Sequence, residues 1–192
     1  MADGTLKVGT ITTSSGSGTI TLGQSGETLS VPSGATIDLS NATQTGVGGV
    51  MTPAFQAKIT SRQNLSNTTS TKVAFNSADI NIGSCFDTSN NRFLPTTAGK
   101  YFIGLSLVFT GGAATSLLNC LSFIYKNGSG VQESYFDASG NRIQNQTLLV
   151  SSIIDMNGSS DYVEGFGYIN TNSSGSLEPN TYTRFFGYKI IE

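Results

Sequence analysis

The sequence contains no histidine and no tryptophan, and only 11% of its 192 residues are charged. Without histidine, neither a Ser-His-Asp nor a Cys-His arrangement can be assembled. A zinc site would have to rely on carboxylates, which zinc disfavours. The two cysteines, Cys85 and Cys120, are too few for a disulfide framework and read as buried free thiols. Ten basic and twelve acidic residues are spread along the chain for a net charge of −2. No cluster of Lys and Arg marks a nucleic-acid footprint, so no nucleic-acid partner is expected. No apolar run is long enough to span a membrane as a helix, so membrane insertion is not expected. The opening M-A-D-G-T-L-K has no apolar stretch behind a basic flank, so folding in the cytoplasm of the producing cell is expected. Helical periodicity is missing as well. What remains is glycine, 23 residues of it, and short runs in which apolar and polar residues alternate.

Residues 1–50 hold almost nothing but Gly, Ser, Thr, Ala and isolated aliphatics, with no aromatic residue. A short unit recurs as T-L-K-V, T-I-T-L, T-L-S-V and T-I-D-L, the last three separated by G-Q-S-G and P-S-G turns. Each unit offers two aliphatics on one face and polar residues on the other. Two aliphatics per strand cannot form a core in one chain. They can if the units stack or if three chains wrap a common axis. A flexible linker is the plainer alternative, but a Gly/Ser linker needs no regular β-branched pattern. Residues 1–50 are therefore read as a β-repeat arm for trimerisation and attachment, with Leu6, Val8, Ile11, Ile20 and Leu22 as candidate attachment residues. Residues 44–50, Q-T-G-V-G-G-V, read as a hinge.

The second region, residues 53–192, is organised around residues 92–109. Pro95 ends one short strand because it cannot donate to a ladder. Beyond the turn at Gly99, Tyr101, Ile103, Leu105, Leu107 and Phe109 alternate with Phe102, Gly104, Ser106 and Val108, the period of a strand with one face in a core. The second face is also apolar, so another sheet or another subunit is expected over it. Further strands are expected at 54–60, 72–75, 80–86, 92–94, 117–126, 132–136, 141–146, 148–156, 161–170 and 182–191. Asn127-Gly128 is a hairpin signal. A second hairpin is expected about residues 137–140, and a polar loop over 171–179. Such a run of short strands with no helix implies a sandwich or barrel.

These residues carry a resemblance. Pro53-Ala54-Phe55-Gln56-Ala57, the block Phe86-Asp87 with Asn91-Arg92-Phe93-Leu94-Pro95 and Ala98-Gly99-Lys100-Tyr101-Phe102, the strand and turn of 121–128, and Arg184-Phe185-Phe186-Gly187-Tyr188 together resemble the domain of complement C1q and its tumour-necrosis-factor-like relatives. Asn91-Arg92 replaces the usual Thr-Gly, and no collagen repeat precedes the domain. The resemblance implies an all-β, C1q-like jelly-roll sandwich of about ten strands that assembles as a homotrimer. Residues 18–36 are similar to Gly/Thr/Ser segments of structural and fibre proteins of tailed bacteriophages, especially marine ones. That similarity implies a virion protein made in the host cytoplasm and released by lysis.

Catalysis is not expected. Asp155, Asp161 and Glu164 are close enough in sequence to suggest a carboxylate pair for glycan cleavage, but charges on turns and edge strands are the better reading. Residues 87–91 and 137–141 resemble oxygen-ligand calcium loops, yet each holds one full carboxylate and fits an Asx turn. No cofactor is expected, and calcium is the one ion these loops would suit. Tyr135, Phe136, Tyr168 and Tyr182 lie near expected loops and are candidates to stack on a sugar or protein, or to fill an interface. Three functions follow. The first is a trimeric virion fibre or head appendage whose head binds a host-surface glycan or protein, its arm joined to other virion proteins. The second is a capsid decoration (cement) protein. The third is a bacterial C1q-like binding module.

Overall fold

A computed structural model describes residues 10–11, 18–38, 51–179 and 181–190. The chain divides into two units, Met1–Val47 and Gly48–Glu192. In the first, the described residues form turns at Ser25-Gly26 and Ser33-Gly34, where the sequence places them, but no strand. The expected pairing of the repeats is therefore not formed by the described residues of a single chain. Ile11, Ile20, Leu22, Leu29, Val31 and Ile37 are all exposed. Among the described residues these aliphatics make no apolar core, so no ladder is held together there. Leu6 and Val8 lie outside the described residues.

The described residues of the second unit form thirteen strands in two antiparallel sheets, and no helix occurs among the described residues. In chain order the strands are β1 Ala54–Lys58, β2 Gln63–Asn64, β3 Thr71–Lys72, β4 Ser77–Ile82, β5 Phe86–Asp87, β6 Arg92–Phe93, β7 Gly99–Thr110, β8 Leu117–Lys126, β9 Ser129–Asp137, β10 Asn145–Met156, β11 Val163–Thr171, β12 Ser176–Leu177 and β13 Arg184–Lys189. The first sheet is centred on β7. Strand β10 pairs with it along its full length, while β13 and then β12 share its other side. Beyond β13 come β1 and β4, and β2 borders β12. The second sheet runs β5, β6, β11, β8, β9, with β3 also on β11.

The alternation of β7 places Tyr101, Ile103, Leu105, Leu107 and Phe109 in the core, all fully buried. An aromatic cluster joins the sheets at one end. The Phe55 ring of β1 stacks on Phe86 and Phe93 of the second sheet, with centroids 5.0 and 4.6 Å apart, and meets Phe185 of β13 edge-on at 5.0 Å. Phe75 and Tyr101 extend the cluster through Phe185 and Phe93. Opposite β7, Gly165 lets the sheets touch: a Cβ there would lie 2.9 Å from Leu105 Cδ1 and 3.1 Å from Phe75 Cε2.

Asn127 and Gly128 both take positive φ, 51° and 81°, and turn β8 into β9 as a type I′ hairpin. The hairpin expected about residues 137–140 does not form. Strand β9 pairs only with β8, whereas β10 belongs to the other sheet. Between them, Ala138 N–H donates to the Leu118 carbonyl, Leu117 N–H to that of Ile143 and Gly111 N–H to that of Gln144, so the chain crosses from sheet to sheet. The expected strand at 80–86 is two strands, split by a turn at Gly83-Ser84. Within the expected polar loop of 171–179, β12 forms and Leu177 is fully buried against β7.

Two outcomes follow. Phe55→Ala opens a cavity at the junction of the sheets and costs about 3–5 kcal/mol, and Gly165→Val overpacks it for about 1–3 kcal/mol; both are read from urea denaturation midpoints. Cys85 and Cys120 are buried free thiols whose pKa values burial pushes up to about 11 and about 12. Neither reacts with a water-soluble aromatic disulfide in the folded protein, and both do after denaturation.

Candidate functional site

Because strand side chains alternate, each sheet presents a second face, away from the core. On the first sheet that face carries a continuous apolar row. Ile153 of β10 lies opposite Phe102 of β7, Phe102 opposite Tyr188 of β13, Tyr188 opposite Ala54 of β1, and Ala54 opposite Ile82 of β4. Five adjacent strands make a stripe roughly 19 Å wide. The Phe102 and Tyr188 rings lie 5.6 Å apart, and Phe186, in the next row, sits 6.5 Å from Phe102. Ile153 and Leu149 are each 62% exposed and Ile82 is 51% exposed. An ionic row borders the stripe. Asp79 accepts from Lys58 Nζ at 2.5 Å and from Arg184 Nη1. These two bonds, Lys58 first, hold the Asp79 carboxyl below the ordinary range.

The second sheet is also aromatic on its outer face. Leu121 of β8 lies between Tyr168 of β11 and Tyr135 of β9, and the neighbouring row sets Phe123 between Phe166 and Glu133. Tyr125 stacks on Phe166 with centroids 4.3 Å apart, and Phe123 meets Tyr125 edge-on at 6.0 Å. Glu164, at the end of this face, is spent on Lys72.

The four aromatics singled out from sequence do not form one site. Tyr135 and Tyr168 share the outer face of the second sheet across Leu121. Phe136 lies opposite Cys120 and packs against the core, because its strand position alternates inward. Tyr182 is 62% exposed beside Val108, Asn145 and Glu178, on the side of the first sheet. Sequence reasoning passed over Phe123, Tyr125 and Phe166, and also Leu149 and Ile153. The signal that would have found them is period-two alternation within strands that looked uniformly apolar. Phe102 and Val108 were legible in that way.

Four of the carboxylates considered, Asp161, Glu164, Asp87 and Asp137, are tied up locally. Asp161 accepts from Lys126 Nζ and Asn127 Nδ2, each at 2.8 Å, and from the Asn157 amide at 3.0 Å. Asp87 accepts from the amides of Ser89 and Asn90 and from Asn90 Nδ2, and Asp137 from the Ser139 amide. Both loops are Asx turns. Among the described residues no group of three or more His, Cys, Asp or Glu could hold a metal ion.

No protein-family model and no curated protein matches the sequence. Solved structures do match its fold. The globular domain of zebrafish complement 1qA protein superposes with a TM-score of 0.51 at 13% identity, over 72% of this chain and 96% of that one. Eiger TNF from S. frugiperda gives 0.53 at 7% identity, over 72% and 93%. The fold is thus an all-β jelly roll of the C1q and tumour-necrosis-factor type.

The Asp161 bonds set a pH dependence. Lys126 first, then Asn127, holds its carboxyl at about 2 against an ordinary 3.8. A depressed folded pKa stabilises the loop above the unfolded value, and that contribution is lost as pH falls through the folded one. The protection of the Asn157 amide against exchange, relative to an unfolded chain at the same pH, therefore holds from neutral pH down to 3.8 and falls as pH approaches about 2. In Asp161→Asn that protection is lower already at neutral pH.

Proposed function

We propose that this chain is a non-enzymatic structural protein of a bacteriophage virion. It is a homotrimeric fibre or head appendage whose arm, residues 1–50, joins other virion proteins and whose jelly-roll head, residues 53–192, binds a ligand on the host surface. The observation that carries the trimer is the apolar row of Ile153, Phe102, Tyr188, Ala54 and Ile82. A contiguous apolar stripe rimmed by charges is the signature of an interaction surface. Full burial is worth about 1.5–3 kcal/mol per large side chain, enough from a few such residues per copy to offset an association cost of about 4–15 kcal/mol. Symmetric self-association places the same stripe of each copy against its neighbours.

The exposed aliphatics of the arm, Ile20 and Leu22 among them, gain partners in the same way when three arms or a particle surface cover them. The arm's Gly/Thr/Ser units resemble those of phage structural proteins, which is the support for a virion setting. Three heads on one particle raise the avidity of individually weak sites. The protein is made in the host cytoplasm and leaves by lysis.

Light scattering of the purified chain gives three times its 20.1 kDa mass, and Phe102→Asp or Ile153→Asp reduces it to one. A wild-type monomer ends the reading. Fluorescently labelled trimer binds intact host cells. If it does not, and particles lacking it lose resistance to heat, capsid decoration is its role instead.

A further inference from the structure

The groove between β8 and β9 combines two aromatic rings with an amide and a carboxylate. Strand β9 carries one residue too many: Ile124 pairs with Gln132 and Tyr125 with Gly130, leaving Val131 as a bulge. The bulge and the missing side chain at Gly130 leave an open pocket of about 360 Å³, walled by Phe123, Tyr125, Val131 and Glu133. That volume falls within the range of small-molecule sites, which begins at about 300 Å³. A Cβ at Gly130 would lie 3.5 Å from Tyr125 Cε1, so any larger side chain there would cover the Tyr125 ring. Glu133 lies opposite Phe123 and is exposed, and its carboxylate has no hydrogen-bond or ion-pair partner among the described residues. Gln132 completes the lining with an amide.

We infer that this groove binds a neutral pyranose of a host-surface glycan; the inference rests on the reading of the head as a host-binding module. The C–H face of a pyranose packs on an aromatic ring, and here Tyr125 is braced from behind by Phe166 at 4.3 Å. Sugar hydroxyls donate to Glu133, whose charge-assisted bonds are stronger than neutral ones. The lining holds one carboxylate and no cation. It therefore repels sialic and uronic acids and accepts uncharged hexoses. The groove lies on the second sheet, and the apolar row proposed for self-association lies on the first. All three copies in a trimer thus keep their grooves open.

The test uses the full chain and an array of oligosaccharides of glucose, galactose and mannose, beside sialylated and uronic-acid glycans. Binding is followed by saturation-transfer NMR with the corresponding methyl glycosides. Saturable binding to one or more neutral glycans, with none to the anionic ones, is expected. Gly130→Leu adds a side chain over Tyr125 at a backbone position outside the left-handed region. It weakens that binding about two- to tenfold, the loss of one ring contact, and leaves the light-scattering mass unchanged. Glu133→Gln weakens it as well and admits anionic glycans. Binding that survives Gly130→Leu undiminished overturns the site. Binding to host cells with no neutral glycan recognised overturns the sugar but leaves the host-binding reading standing. Absence of both overturns the two together.

Discussion

Phe55 sits where the two sheets of this fold are held together. Its ring touches Phe86 and Phe93 on one sheet and Phe185 on the other, and its strand lies between β4 and the last strand, β13. A sandwich of short strands has little to hold it except the contact between its inner faces. Several strands of the second sheet contribute only two residues each to their ladders. The aromatic cluster compensates, because a few large rings bury more surface than the same number of aliphatics. It also joins residues far apart in sequence, from Phe55 of the first strand to Phe185 of the last. Gly165 belongs to the same arrangement, since Phe75 and Leu105 occupy the space that its side chain would take.

With the core closed this way, the outward faces become free to differ. The first sheet spends its outward face on a row of aliphatics and rings bordered by Lys58, Asp79 and Arg184. The second spends its own on aromatic rings interrupted by Glu133 and Gly130. The distinction matters physically. A flat apolar stripe on rigid strands suits a large, dry, self-complementary contact. A notch between rings with a carboxylate at its edge suits a small polar ligand with an apolar side. Proposing different partners for the two faces follows from that difference in shape and polarity, while the jelly roll itself is indifferent to either use.

The fold was legible because its longest strands announce themselves. The alternation from Tyr101 to Phe109 gave both the core face and the apolar outer face, and Asn127-Gly128 gave its hairpin. The resemblance motifs fell on the aromatic cluster, which is why they fixed the architecture. Other features were hidden for physical reasons. Ala138 is buried by a chain crossing that no local pattern encodes, so the segment after it looked like a return strand. Leu177 is one apolar residue in a polar stretch, buried by a two-residue pairing with β7. The groove escaped notice because its parts, Tyr125 and Gly130, lie on neighbouring strands and meet only through a register shift. Tyr135 and Tyr168 were singled out from sequence, but that they share a row could be seen only once β8 lay between them.

The bulge at Val131 has a further effect. Strand β9 is the margin of its sheet, bonded to β8 alone. Regular unpaired margins invite stray chains to extend the ladder, and an irregular one does not. The extra residue thus keeps the free side of β9 from offering an unbroken template to another strand.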